Sequence, residues 1–140
     1  MIKNLSYNSK KNKNLLLEIV GRPLSFMERL KLRGIGSNKL VITDASKEIV
    51  DLLRLDNNIN YCNIEIRKNG IIIRFRSLLE TYGLIIPYYK LVIYKGESKI
   101  YSFYKDRHYV KCFVDNENST LFIKKVIRLK TVYLKKMGLN

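Results

Sequence analysis

One histidine, two cysteines and only twelve acidic residues leave this 140-residue chain short of the groups that chemistry at a protein site requires. Catalysis needs positioned acids, bases or nucleophiles. The single histidine, His108, shares a strand-like segment with Cys112, but four strand residues separate the two by roughly 13 Å, too far for a thiolate and its base. Cys62 and Cys112 have no CxxC partner and no histidine cluster near them, which argues against a zinc site or a disulfide framework and reads as two buried free thiols. Asp44, Glu48 and Asp51 fall at helical spacing, yet no second ligand group accompanies them, so they read as caps and solvated charges rather than as a metal site. The "GIG" of residues 34–36 lacks a preceding strand, a third glycine and the Lys-Ser/Thr of a phosphate loop, and reads as a turn. These absences point away from an enzyme and from any cofactor.

Long apolar runs are also missing. Residues 84–86 are far too few to cross a bilayer. The N-terminal "MIKNLSYNSKKNKNLLLEIVGRP" starts basic, but Glu18 interrupts its apolar part and no small-residue cleavage site follows, so no signal peptide is expected. The expectation is one soluble, cytoplasmic domain over residues 1–140, long enough to bury a core without disulfides or metal.

What the chain has in excess is positive charge: 27 basic against 12 acidic residues, net +15, with a pI near 9.9. Such a balance favours a polyanionic partner, nucleic acid or an anionic membrane surface. A second cause competes, because lysine (18), isoleucine (17), asparagine (13) and tyrosine (10) all have AT-rich codons and genome composition alone can raise lysine. Lysine's twofold excess over arginine fits that second cause, since phosphate and base recognition lean on arginine's bidentate fork. The basic excess gathers toward the two ends of the chain.

Residues 1–14 are polar, basic and without periodicity, and are expected to form a flexible lead-in. Residues 15–60 read as a helical N-terminal part. Its "LLLEIV" is a short strand or helical turn, broken by Gly21 and Pro23. Ser25, with Glu28 three residues on, makes a capping box for a helix to about Leu32. A brief strand over residues 40–43 precedes a second helix, capped by Asp44 or Ser46 and closed by "DNNIN" at residues 56–60. From Tyr61 to residue 115 the period becomes two. Asn69-Gly70 predicts a type I′ hairpin, which pairs Ile66 with Ile73, Ile64 with Phe75 and Glu65 with Arg74. In "IIPYYKLVIY" the apolar phase shifts by one residue at Pro87, as in a strand kinked by a bulge. Strands at about residues 100–104 and 108–114 complete a meander of five or so. A helix over residues 119–137, capped by Asn118, Ser119 or Thr120, carries Phe122, Val126, Leu129 and Tyr133 on one stripe.

The predicted fold is therefore α+β: a curled antiparallel meander of about five strands, short N-terminal helices and a C-terminal amphipathic helix. The order of these elements over residues 61–137, with the "I-P-Y" at residues 86–88, resembles the pleckstrin-homology-like (PH-like) class and its bacterial relatives of the GRAM type. That resemblance implies a non-catalytic binding or scaffolding module that contacts an anionic surface or a protein partner. Residues 1–60 have no counterpart in it, and the turn at residues 68–70 does not match the basic phosphoinositide-binding loop of that class.

Aromatic residues interleaved with basic ones open a different reading, single-stranded nucleic-acid binding through a Tyr/Lys/Arg sheet face. The candidates for anion or nucleic-acid contact are Arg67, Arg74 and Arg76 on one hairpin face; Tyr88, Lys90 and Tyr94 on the outer side of their strand; Tyr109 and Lys111 opposite Val110 and Cys112; and Lys124, Arg128 and Lys135 on the outward side of the last helix. Tyrosine is also simply a good former of half-exposed strands.

Overall fold

A computed structural model describes residues 2–6, 9–55 and 60–138. Residues 56–59 of the expected helix-closing "DNNIN" lie outside them. Eight strands and four helices occur among the described residues, in the order β1 (Ile2–Asn4), α1 (Lys10–Val20), α2 (Phe26–Leu32), β2 (Leu40–Ala45), α3 (Lys47–Leu53), β3 (Tyr61–Ile66), β4 (Gly70–Ser77), β5 (Glu80–Pro87), β6 (Leu91–Lys95), β7 (Ile100–Lys105), β8 (His108–Phe113) and α4 (Glu117–Lys136). All strands join one antiparallel sheet ordered β1-β5-β4-β3-β2-β8-β7-β6.

The expected five-strand PH-like meander is thus overturned in favour of an eight-stranded sheet with four helices. Three differences account for the count. The brief strand at residues 40–43 belongs to the same sheet, lying between β3 and β8. The predicted lead-in supplies an edge strand, β1, and the first turn of α1, which Ser9 caps by accepting the Asn12 N–H. The supposed single kinked strand around Pro87 is two strands separated by a turn, in which the Lys90 N–H donates to the Pro87 carbonyl at 3.0 Å.

That turn dictates the shape of the sheet. β5 and β6 stand six inter-strand spacings apart in the sheet order, which in a flat sheet would be roughly 29 Å. The chain from Pro87 to Leu91 spans at most about 14 Å even when extended. The sheet must therefore curl until its far strand returns to β5. The bend lies in β2, which pairs with β3 through Leu40 and Val41 and with β8 through Val41 to Ala45, with a register shift between Ile42 and Asp44. The expected kink at Pro87 is instead a strand end followed by a turn, and the irregularity in register falls in β2, the strand shared by both halves.

The concave side encloses the main core. Ile64, Ile66, Ile71, Ile73, Leu84 and Ile86 from one half meet Leu91, Phe103, Val110 and Cys112 from the other. Cys62 and Cys112 are free and buried as expected, and their sulfurs touch at 3.4 Å. α4 closes the core with Phe122, Ile123 and Val126, and Leu129 and Tyr133 pack at its edge, so the predicted stripe is the buried one. Its cap is Asn116, whose side chain accepts the Ser119 N–H, so the helix begins two residues before the predicted start. α3 begins after Ser46, whose side chain makes no capping hydrogen bond, and places Ile49 and Leu53 in the same core. On the convex side, Leu16 and Val20 of α1 cover Ile72 and Ile85.

The β3–β4 hairpin forms, but two residues out of the expected register: Ile66 pairs with Ile71, Ile64 with Ile73 and Cys62 with Phe75. An even shift leaves every side chain on its predicted face. Asn69 and Gly70 do not take the positive φ of a type I′ turn. The tip is held by its neighbours instead: the Asn69 N–H donates to the Val20 carbonyl at 2.8 Å, and the Asn69 carbonyl accepts the Tyr88 N–H at 2.9 Å. Glycine is needed at position 70 because a Cβ there would stand 2.3 Å from the Ile86 oxygen.

Candidate functional site

The hairpin tip, α2 and the end of α4 converge on a pocket of about 390 Å³. Its floor is apolar, made by Leu24, Ile66, Tyr88, Leu129 and Tyr133. Tyr88 is fixed there. Its ring lies 5.5 Å from that of Tyr133, and its hydroxyl donates to the Arg67 carbonyl at 3.3 Å, while burial pushes the phenol's pKa well up. Lys31, Lys68 and Lys136 line the same pocket, and none of the three has an ion-pair partner among the described residues. The one acidic group, Glu28, is already occupied. It accepts from Arg22 at 2.6 Å and from the Ser25 N–H at 2.9 Å, and these bonds hold its pKa down at about 2. The pocket thus offers an apolar floor beneath uncompensated ammonium groups, a combination suited to an anion that carries apolar surface.

α2 forms one wall of the pocket, and local bonds fix both of its ends. The Ser25–Glu28 capping box forms as predicted, and Arg33 ends the helix in the left-handed conformation. Leu24 is buried just before it. Beyond it, the Gly34 carbonyl accepts from Lys125 of α4 at 3.1 Å and the Ile35 carbonyl accepts the Ile66 N–H at 2.7 Å.

The residues singled out from sequence distribute differently from one another. Tyr88, expected on the outer side of its strand, is only 2% exposed, whereas Tyr89 is 59% exposed. The turn after Pro87 resets the alternation and carries Tyr88 inward. Lys90 is spent on an ion pair with Asp106 at 3.3 Å. Arg67 and Arg74 converge on Glu65, Arg67 at 2.6 Å; Arg74 reaches it diagonally because of the shifted register. Burial raises the Glu65 pKa, but Arg74 and Arg67 outweigh it and leave the carboxyl below its usual range. The two arginines therefore carry little spare charge, while Arg76 further along β4 is exposed.

Tyr94, Tyr109 and Lys111 do come together, on the convex face of β6–β8. Tyr104 joins them: its ring lies 5.6 Å from Tyr94 and 5.1 Å from Tyr109, and the Lys111 ammonium sits 5.6 Å from the Tyr109 ring. Asp44 intrudes on this ladder, accepting from the Tyr109 hydroxyl at 3.4 Å, and desolvation together with that carboxylate raises the phenol's pKa. Lys124, Arg128 and Lys135 point outward from α4 as expected. Two further lysines of that helix do not: Lys125 is tied to Gly34, and Lys130 donates to the Leu91 carbonyl, where burial lowers its pKa.

Sequence reasoning missed Lys31, Lys68 and Lys136. No local pattern links residues 31, 68 and 136; only the fold does.

Among the described residues no group of three or more His, Cys, Asp or Glu side chains is placed to hold a metal ion. Among the described residues no helix is long and apolar enough to cross a membrane. No family model, curated protein or solved structure matches the chain.

Proposed function

We propose that this protein is a non-catalytic binding module that docks on an anionic surface through the face formed by α2, the β3–β4 tip and the end of α4. One observation carries the reading: Lys31, Lys68 and Lys136 ring an apolar-floored pocket without ion-pair partners among the described residues. Gathering like charges costs free energy unless an anion relieves it, and codon bias scatters lysine without regard to place. The pocket adds a reason for the charge to be local.

The tyrosine ladder supports a second reading, single-stranded nucleic-acid binding by stacking on Tyr94, Tyr104 and Tyr109 beside Lys111. Asp44 within the ladder works against it, since a carboxylate repels a phosphate backbone.

Two charge-altered proteins separate the readings. A Lys31→Glu, Lys68→Glu, Lys136→Glu protein is expected to lose sedimentation with phosphatidylglycerol vesicles at physiological salt and to keep whatever affinity the wild type has for an oligonucleotide. A Tyr94→Ala, Tyr104→Ala protein is expected to bind the vesicles normally. The converse pattern, with oligonucleotide affinity surviving salt and falling only in the tyrosine variant, would replace the first reading by the second.

A further inference from the structure

α2 contributes no buried residue to the fold, yet it is not a polar helix. Phe26, Met27 and Leu30 are 73%, 63% and 58% exposed. At about 100° per residue the three fall within one arc of roughly 100°. Arg29 borders that arc on one side and Lys31 on the other, and Leu32 and Glu28 lie behind, toward the protein. Val132 and Met137 of α4, also exposed, line the pocket that α2 borders. The helix keeps this apolar face in water although its capping box, its left-handed end and its two tethers hold it in place. Nothing in the fold gains from that exposure.

We infer that Phe26, Met27 and Leu30 form a wedge that enters the interfacial layer of an anionic lipid bilayer, with the flanking Arg29 and Lys31 side chains at the headgroup phosphates beside it. The inference rests on the anionic-surface reading above and names the surface. Charge decides the occupant. An apolar arc flanked on both sides by long cationic side chains is the arrangement in which stems lie along acyl chains while their charged ends reach the phosphates. The only acid on the helix, Glu28, faces away from the arc and is neutralised by Arg22. Because α2 is already folded and anchored, it does not have to order on contact, which spares the entropy that an unstructured segment loses at a membrane.

The chain contains no tryptophan, so Phe26→Trp introduces a single indole reporter at the tip of the wedge. With phosphatidylcholine vesicles that contain phosphatidylglycerol, its emission is expected to move to shorter wavelength and to be quenched by lipids brominated on their acyl chains. Phosphatidylcholine vesicles alone are expected to give neither change. A Phe26→Gln, Met27→Gln, Leu30→Gln protein is expected to keep the wild-type melting curve and to lose vesicle affinity by roughly 100-fold, about the effect of withdrawing three partly inserted side chains. Vesicle binding without a spectral shift, together with wild-type affinity in the glutamine variant, overturns insertion while leaving the anionic-surface reading in place. A wild-type protein that ignores phosphatidylglycerol vesicles also overturns insertion. The anionic-surface reading falls with it only if the lysine-reversed protein matches the wild type on every polyanion tried.

Discussion

Replacing Gly70 by alanine tests how the hairpin and the pocket are joined. An added Cβ would lie 2.3 Å from the Ile86 oxygen, 2.7 Å from Cγ1 of Val20 and 2.8 Å from the Pro87 Cα. Two of these three atoms are backbone of the neighbouring strand and cannot rotate away. Relief requires β4 and β5 to part, or the 68–70 tip to lift off α1 and break the hydrogen bonds that join Asn69 to Val20 and Tyr88. Overpacking of this kind costs about 3 kcal/mol, the upper part of the usual range because the obstacle is main chain. In a domain of this size that lowers the melting temperature by about 10 °C. Gly36→Ala is the matched control, since nothing lies within 4 Å of a Cβ there and its φ is not positive; a change within about 0.5 kcal/mol is expected. Circular dichroism followed through thermal and urea unfolding measures both. A Gly70→Ala protein whose curves superimpose on the wild type would refute the close approach of β4 to β5, and with it the placement of Lys68 at the pocket.

Glu65→Gln leaves Arg67 and Arg74 half-buried without a counter-charge and is expected to destabilise by about 2 kcal/mol at neutral pH, less than for a fully buried pair because Arg74 remains partly exposed. The Glu65 pKa is lowered in the fold, so its stabilisation is complete above the unfolded value of about 4.5 and disappears as pH falls through the folded value. Urea midpoints measured between neutral pH and pH 3 should therefore fall more steeply for wild type than for the glutamine protein, and parallel curves would contradict the ion triad. For the cysteines, the Cys62–Cys112 contact and then burial hold the Cys62 thiol well above its usual pKa. Iodoacetamide is expected to label neither cysteine in the native protein and both together on unfolding; fast labelling of one native thiol would show that the core there is open.

Patterns that act over a few residues were readable from the chain. The Ser25–Glu28 capping box, the inward stripe of α4 and the inward faces of Ile64, Ile66, Val110 and Cys112 follow from local bonding and from the periods of helix and strand, and none needs a distant partner. Alternation gives the hairpin its faces but not its register, because its tip is tied to Val20 and Tyr88, residues far away in sequence. Tyr88 lies inward rather than outward because a three-residue turn, not a bulge, follows Pro87.

Other features arise only in three dimensions. The curl follows from the strand order combined with the short connection from β5 to β6, a constraint on distances that alternation along one strand does not encode. Charge by composition could not separate Lys130, folded back on Leu91, or Arg74, held by Glu65, from Lys31, Lys68 and Lys136, which line one pocket without ion-pair partners among the described residues. The sequence supplied fifteen excess positive charges. Tertiary packing decided which were neutralised and which three were brought together, since an ion pair or a pocket depends on neighbours in space that spacing along the chain leaves open.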